Sequence, residues 1–504
     1  MSTNASPGKG SGRTGKSASG NRGRKAAGAS LAKLIVRRRI GDVETPVGAA
    51  LKLGPTEPGS FLFESIHGGE RLGRYSFVGL KPLRWFRVVD GRAETGTEMD
   101  FSDAAPVKAE PVDALRTFAK NARAETGEDL PPMASGAFGY IGYDMIRHVE
   151  PVTIAADDAL GVPEALLVVP SLVIIFDHLY QELILVARVE GGETTAAEAA
   201  LDGLEQALDS PAPMAPSGAN AADAPAFSSN TSQARYHEFV EEAQDYIKAG
   251  DIFQVVPSQR FSARYDRQSI SMYRALRGLN PSAFMFHMAL GPLTLVGSSP
   301  EILVRVRDGR VAIRPIAGTR PRSGDPDEDA RRAADLLADE KECAEHLMLL
   351  DLGRNDVGRV AAWGSVTVTE QFIVERYSHV MHIVSHVEGD LREGLDAVDA
   401  LFAGFPAGTV SGAPKIRAMQ IIDALETSRR GVYGGAVGYF GWNGDLDTCI
   451  ALRTAVLKDD QVHIQAGGGV VLDSDPQYEY EETLHKANAL KRAVQQAARF
   501  EFDQ

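Results

Sequence analysis

Cysteine is nearly absent from this chain of 504 residues. Cys343 and Cys449 cannot staple a protein of this length, and they supply too few thiolates for a cysteine-based zinc site. That usage fits a reducing, cytosol-like compartment. Long apolar runs are missing too: none approaches the roughly 20 residues that cross a bilayer, and no signal-peptide apolar region is present. The common nucleotide and acyl-transfer fingerprints are also lacking. No G-x-G-x-x-G opens a helix, Gly408 to Lys415 lacks P-loop spacing and the following Ser or Thr, and there is no Gly-x-Ser-x-Gly elbow. Acidic residues are absent before residue 41, where ten of the 53 Lys and Arg fall, so the remainder carries about −25 of the net −15 balance.

What remains is the composition of a globular protein, 44% hydrophobic and 24% charged, long enough for two to four domains. The basic segment 1–40 is Gly- and Ser-rich and has no aromatic residue to stack on bases. With an acidic body behind it, it reads as a solvated, disordered tail, not a nucleic-acid arm. Its acid-free, Arg- and Ser-rich text also matches a transit peptide. Residues 41–209 read as one domain, with short strands and turns over 45–52 and 60–80, a hairpin around Asp177-His178 and a helix over 194–208. Pro, Ala, Ser and Gly dominate 210–231, a linker. Residues 232–500 form a second domain. Its helix over 236–247 is capped by Ser232 and closed by Gly250. One long helix is expected over 327–350, others over 414–425 and 480–497, and strands alternate with Gly-rich turns over 432–471. Mixed strands and helices without a fixed repeat give an α+β fold of antiparallel sheets packed with helices.

Glu342 and Glu345 sit three apart on the long helix, and Glu479 and Glu482 repeat that spacing on the last one. Two such pairs could offer oxygen ligands to a hard cation such as magnesium. On spacing alone a solvated helix face with a Glu482–Lys486 pair is the more common reading. Gly467, Gly468 and Gly469 follow a strand-like run, where glycines let backbone amides approach an anion as a nest, or simply make a tight turn. His379 and His382 lie in an apolar run, where histidine is a general base or, more often, a packed core residue. Arg453 interrupts an apolar strand, and a buried Arg needs an anionic partner, either a substrate carboxylate or a structural acid.

Longer blocks carry more. GDIFQVVPSQRF from Gly250, NPSAFMFHM from Asn280, PIAGTRPR from Pro315, DEKECAEHLMLLDLGRND from Asp339, RYSHVMHIVSHV from Arg376, GTVSGAPK from Gly408, GVYGGAVGY from Gly431, DTCIALRTA from Asp447 and QAGGGVVLDSDPQYEYEET from Gln465 cover nearly all of residues 235–495. Together they closely resemble the chorismate-utilising enzymes, and among these the large subunits of anthranilate synthases. FLFES from Phe61 and GYIGYDMIRHVE from Gly139 resemble that family's N-terminal domain.

The resemblance implies a magnesium-dependent lyase that converts chorismate and ammonia to anthranilate and pyruvate, the first committed step of tryptophan biosynthesis, in the cytoplasm. It implies Mg2+ as cofactor, with Glu345 and Glu482 as ligands and Glu342 and Glu479 adjoining. Substrate contacts map to Gly318, Thr319, Tyr433, Arg453, Gly467, Gly468, Gly469 and Lys486. Glu342 is the implied general acid for the departing ring hydroxyl, His382 serves pyruvate elimination, and Thr409 lies beside the ring. Ser65, Ala283, Phe284 and Met285 match the family's site for inhibitory tryptophan, near Val437 and Tyr439. Here Ala283 and Phe284 stand where relatives often have Pro-Tyr.

Two positions choose among the members. Related isochorismate and salicylate synthases have a water-activating lysine where this chain has Gln254, and aminodeoxychorismate synthases have an attacking lysine where it has Ala317. No nucleophilic cysteine in a glycine-rich elbow is present, so a separate glutamine amidotransferase subunit is implied, in a hetero-oligomer. The alternatives are an aminodeoxychorismate synthase and a non-catalytic tryptophan-binding subunit.

Overall fold

Strands from both ends of the sequence are woven into one sheet system. In the computed structural model, residues 31–65, 73–192, 194–214, 225–377 and 380–502 are described, and Leu31–Gln504 clusters as one unit. Strand Gly136–Ile141 pairs on one side with Ala165–Asp177 and on the other with Ala436–Gly441, 300 residues later in register Gly139↔Gly438. Likewise Phe61–Glu64 lies between Tyr75–Val89 and Phe284–Ala289. The architecture is α+β, and its named strand pairings are antiparallel except that of Ala32–Ile40 with Ala124–Glu125.

Residues 32–40, placed in the basic tail by their charge, form a strand along Glu182–Val189. Its arginines find acids: Arg37 reaches Asp202 and Glu205, Arg38 reaches Glu182 and Arg39 reaches Asp209. Counting charge hid the strand, because Leu34, Ile35 and Val36 between those cations pack against the core. The segment over 45–52, expected as a strand, is helix Pro46–Lys52; Thr45 caps it and Pro46 opens it, which the apolar count overlooked. The long helix expected over 327–350 is two, Pro326–Ala338 and Glu340–Val360. Asp339 leaves helical geometry and accepts from the amides of Lys341 and Glu342, so an acid inside the apparent helix is the cap of the next. The hairpin Ala165–Asp177 with Glu182–Val189 and the Ser232 cap of helix Gln233–Lys248 are as expected. Of the linker, residues 215–224 lie outside the described residues, and Ser228–Ser229 already pairs with strand Ser258–Arg264.

Where the two halves meet, aromatic rings fill the interior. Phe61 stacks on Phe138 at 4.6 Å, Phe63 on Phe77 at 5.0 Å, and Tyr439 meets both Phe77 and Phe138. Gly79 makes this possible, since a Cβ there would lie 2.0 Å from the Phe61 ring. Elsewhere helices Ser269–Leu279 and Pro476–Gln496 cover the sheet with Leu276, Leu490 and Val494. Among the described residues no helix is long and apolar enough to cross a membrane.

Candidate active site

Two helix starts, one glycine turn and three strand ends converge. Helix Glu340–Val360 buries His346, Leu349, Leu350, Gly353, Val357 and Val360, a spacing that fixes its rotation. Near its start Glu342 continues that stripe, four residues before His346, while Glu345 stands to one side of it. Arg320 holds this start, donating to Asp335 and Asp339 at 2.8 Å and to Glu342 at 3.1 Å. Glu342 Oε2 lies beside Gly318, 3.1 Å from where a Cβ would stand. Burial raises its pKa, and the Arg320 charge opposes the rise. Glu345 Oε1 accepts from the Gln254 amide at 3.1 Å, and that same amide nitrogen sits against Gly469.

Helix Pro476–Gln496 is buried along Glu479, Thr483, Ala487, Leu490 and Val494, so Glu479 points inward. It accepts from Ser474 Oγ at 2.7 Å. Burial, with the Glu482 charge adding to it, lifts its pKa to about 7. A Cβ on Gly468 would lie 2.9 Å from Glu479 Oε2 and 3.1 Å from Glu482 Oε2, so both carboxylates reach one point beside the glycine turn. Lys486 joins Glu482 at 3.1 Å and donates to the Gly467 carbonyl at 3.0 Å. Tyr433 is buried against Gly467, which raises its phenol pKa to about 12.

Among the described residues no three His, Cys, Asp or Glu side chains close on one point as ligands. The donor set nonetheless fits magnesium, which takes one or two carboxylates and keeps several waters. Glu479 and Glu482 converge at Gly468, and Glu345 stands one amide away through Gln254.

On strand Val380–Asp390, His382 Nδ1 lies 2.8 Å from the Gly318 carbonyl and 3.1 Å from Thr319 Oγ1. A carbonyl only accepts, so Nδ1 carries the hydrogen and Nε2 keeps its lone pair. Burial lowers the imidazole pKa, and the neutral ring is a base. His379 lies outside the described residues.

Arg453 adopts φ +49, in the left-handed region that ordinary residues avoid, where strand Leu446–Ile450 breaks before Thr454–Lys458. Its guanidinium has no hydrogen-bond or ion-pair partner among the described residues, and burial lowers its pKa while Glu301 raises it. Glu301 escaped the sequence reading. It is buried, it accepts from Thr409 Oγ1 at 3.2 Å, and burial pushes its pKa up to about 8. The available signal was an acid set directly between the apolar strands Thr294–Ser299 and Ile302–Arg307.

The residues matched to tryptophan lie elsewhere. Ser65, Ala283 and Phe284 line a cleft of about 1990 Å³ with Val437 and Tyr439. Met285, the next residue of the strand, faces the opposite way into the core with Leu62 and Val296. Ser65 packs on Gly73, and the Tyr439 hydroxyl is buried without a partner among the described residues.

Residues 74–492 match the family described as chorismate binding enzyme. The chain is 51% identical over 478 residues to anthranilate synthase component 1 of Cereibacter sphaeroides, covering 93% of this chain and 95% of that protein. The namesake from Thermus thermophilus is 48% identical, with 91% and 97% covered. Among solved structures, anthranilate synthase component I from Streptococcus pneumoniae superposes with a TM-score of 0.75 at 36% identity, covering 90% of this chain and 98% of that one. The isochorismate synthase MenF of Escherichia coli shares the fold, with a TM-score of 0.69 at 21% identity and 93% and 96% covered.

Proposed function

This chain belongs to the chorismate-binding enzyme family, and from that premise we propose that it is the large subunit of an anthranilate synthase, forming anthranilate and pyruvate from chorismate and ammonia. The observation that carries this choice is Gln254. Its amide donates to Glu345 and is buried beside Gly469. A neutral amide committed as a donor cannot deprotonate water, which favours a nucleophile that attacks without prior loss of a proton, as neutral ammonia does. Ala317 offers no amine either.

The unpaired Arg453 guanidinium, Lys486, Tyr433 and the Gly469 amide of the glycine turn would supply the donors that a dicarboxylate needs, with the Gly468 amide already given to the Pro257 carbonyl. Thr319 stands beside His382. Glu345 and Glu482, with Glu342 and Glu479 adjoining, would hold magnesium, which would neutralise the ring carboxylate. As ammonia forms the ring C–N bond, the ring hydroxyl leaves as water and needs a proton. Glu342 and Glu301 are both candidate donors. Glu301 is the better placed by environment, since it has no ion-pair partner, holds its proton up to about pH 8 and lies beside Thr409. His382 Nε2 then removes the ring proton, the C–O bond to the enolpyruvyl group breaks, and pyruvate leaves as the ring aromatises.

Ammonia is taken to come from a glutamine amidotransferase partner. Exposed Phe253, Leu347, Leu472 and Tyr478 each lie within three residues in sequence of a group of the site, apolar side chains suited to contact with a second subunit. Residues 41–209 carry regulation in this reading. Tryptophan would occupy the cleft by Ser65 and Phe284, with Ala283, Val437 and Tyr439 around it and Met285 behind the strand.

The test is anthranilate fluorescence from chorismate, magnesium and an ammonium salt, with and without tryptophan. Formation that stops with chelator and falls with tryptophan supports all three parts. Formation indifferent to tryptophan removes the regulatory site. Chorismate consumed into a product that keeps its pyruvyl ether establishes an aminodeoxychorismate synthase, and tryptophan binding without turnover establishes a regulatory subunit.

A further inference from the structure

The strongest polar node outside the reacting groups is the buried pair Arg430–Glu426. Arg430 is 2% exposed and closes a bidentate contact with Glu426 at 2.6 and 3.0 Å. The same guanidinium donates to the Val410 carbonyl and to the Val256 carbonyl, both at 2.6 Å. Glu426 in turn accepts from the Ser258 amide at 2.7 Å and the Ser258 hydroxyl at 2.8 Å. Each tied point adjoins a group of the site. Val410 follows Thr409. Val256 lies two residues after Gln254, and the neighbouring Pro257 carbonyl accepts the Gly468 amide at 3.2 Å. Ser258 pairs with Gly467 across the strands. The guanidinium also lies over the Tyr433 ring at 5.4 Å and over that of Tyr143, from the N-terminal half, at 4.7 Å.

We propose that Arg430 and Glu426 are positioning residues for the chorismate site, clamping the Thr409 loop, the Gln254 strand and the Gly467–Gly468 turn into one rigid wall. The inference rests on the chorismate reading of the site but not on which product forms. A plain structural ion pair needs only one partner of opposite charge. Here both side chains also spend their remaining hydrogen-bonding capacity on two separate segments, the Val410 loop and the Val256–Ser258 stretch, and the second holds the glycine turn through the Pro257 carbonyl. A fork of planar donors is needed for that, and a lysine cannot reproduce it. Displacing a substrate-facing backbone by a fraction of a bond length costs catalysis far more than it costs folding.

The experiment compares wild type, Arg430→Lys and Arg430→Gln by melting temperature and by steady-state chorismate consumption with magnesium and ammonium. Folded Arg430→Lys is expected to raise KM for chorismate about tenfold and lower kcat about tenfold or more, with Arg430→Gln worse than Lys. Should neither variant fold, Ser258→Ala, which keeps the ion pair and removes one tie, is expected to raise KM about threefold. Wild-type kcat and KM in folded Arg430→Lys, or in Ser258→Ala if that variant has to decide, would overturn the clamp. If the wild type consumes chorismate without making anthranilate, the product assignment falls while the kinetic comparison still decides the clamp. If it consumes none, both fall.

Discussion

The chorismate site and the Ser65 cleft are built by opposite means. In the first, positions are set by backbone: carbonyls of Val256 and Val410, the amide of Gly468 and the left-handed turn at Arg453 fix the wall, and charged side chains are buried with few partners. In the second, positions are set by packed rings and strand alternation, with Phe63, Phe77 and Tyr439 reaching a cleft from both halves of the chain. A site held by backbone ties concentrates its sensitivity in a few polar groups. A site held by packing spreads it over volume, and it can fail through stability before it fails through contact.

That contrast can be broken at several points. The largest effect is expected at Arg453, whose charge has no other partner among the described residues: Arg453→Ala should lower kcat/KM for chorismate about a thousandfold or more, by steady-state kinetics, with little change in melting temperature. Next comes Glu301→Gln, expected to lower kcat by about a hundredfold. It should also remove an alkaline limb near pH 8 when rates are read at constant free ammonia. The stability sign follows from the same shift. The folded carboxyl keeps its proton up to about pH 8, whereas an ordinary one loses it near 4.5. Stability is therefore full at acid pH and falls as pH rises through that window, and denaturant titrations of Glu301→Gln should lack that slope.

In the packed region the expected order reverses. Phe61→Ala should cost about 3–5 kcal/mol in urea unfolding, because the Gly79 hollow cannot close around alanine. The kcat of the protein still folded should change less than about twofold. The smallest effect is Ser65→Ala, expected to weaken tryptophan inhibition about tenfold, read from dose–response curves, with kcat and melting temperature unchanged.

Much of this was legible in the residues. The four glutamates, the triple glycine and Arg453 were singled out from the sequence; Glu479 and Glu482 meet at that glycine turn, Glu345 reaches it through Gln254, Glu342 lies beside Gly318 and Arg453 interacts with Glu301. The Ser232 cap and the 177–178 hairpin were readable because local rules decide them. Asp339 was not, since a capping acid inside an unbroken helical pattern looks like any other helix residue. Glu301 and Arg430 were hidden for another reason: their meaning lies in burial and in distant segments, Thr409 for Glu301 and Val256 for Arg430, and an Arg four residues after a Glu looks like any exposed helix pair. The strand Ala32–Ile40 was obscured because its three adjacent arginines were counted with the basic tail, and only their acidic partners on other elements show them as strand residues.

The most direct test of the central claim is mass spectrometry of the products formed from chorismate and isotopically labelled ammonium. The account predicts one labelled nitrogen in anthranilate and one pyruvate released per turnover, with both products lost in Arg453→Ala. Oxygen from water in place of labelled nitrogen, or a labelled product that retains its pyruvyl ether, would contradict it.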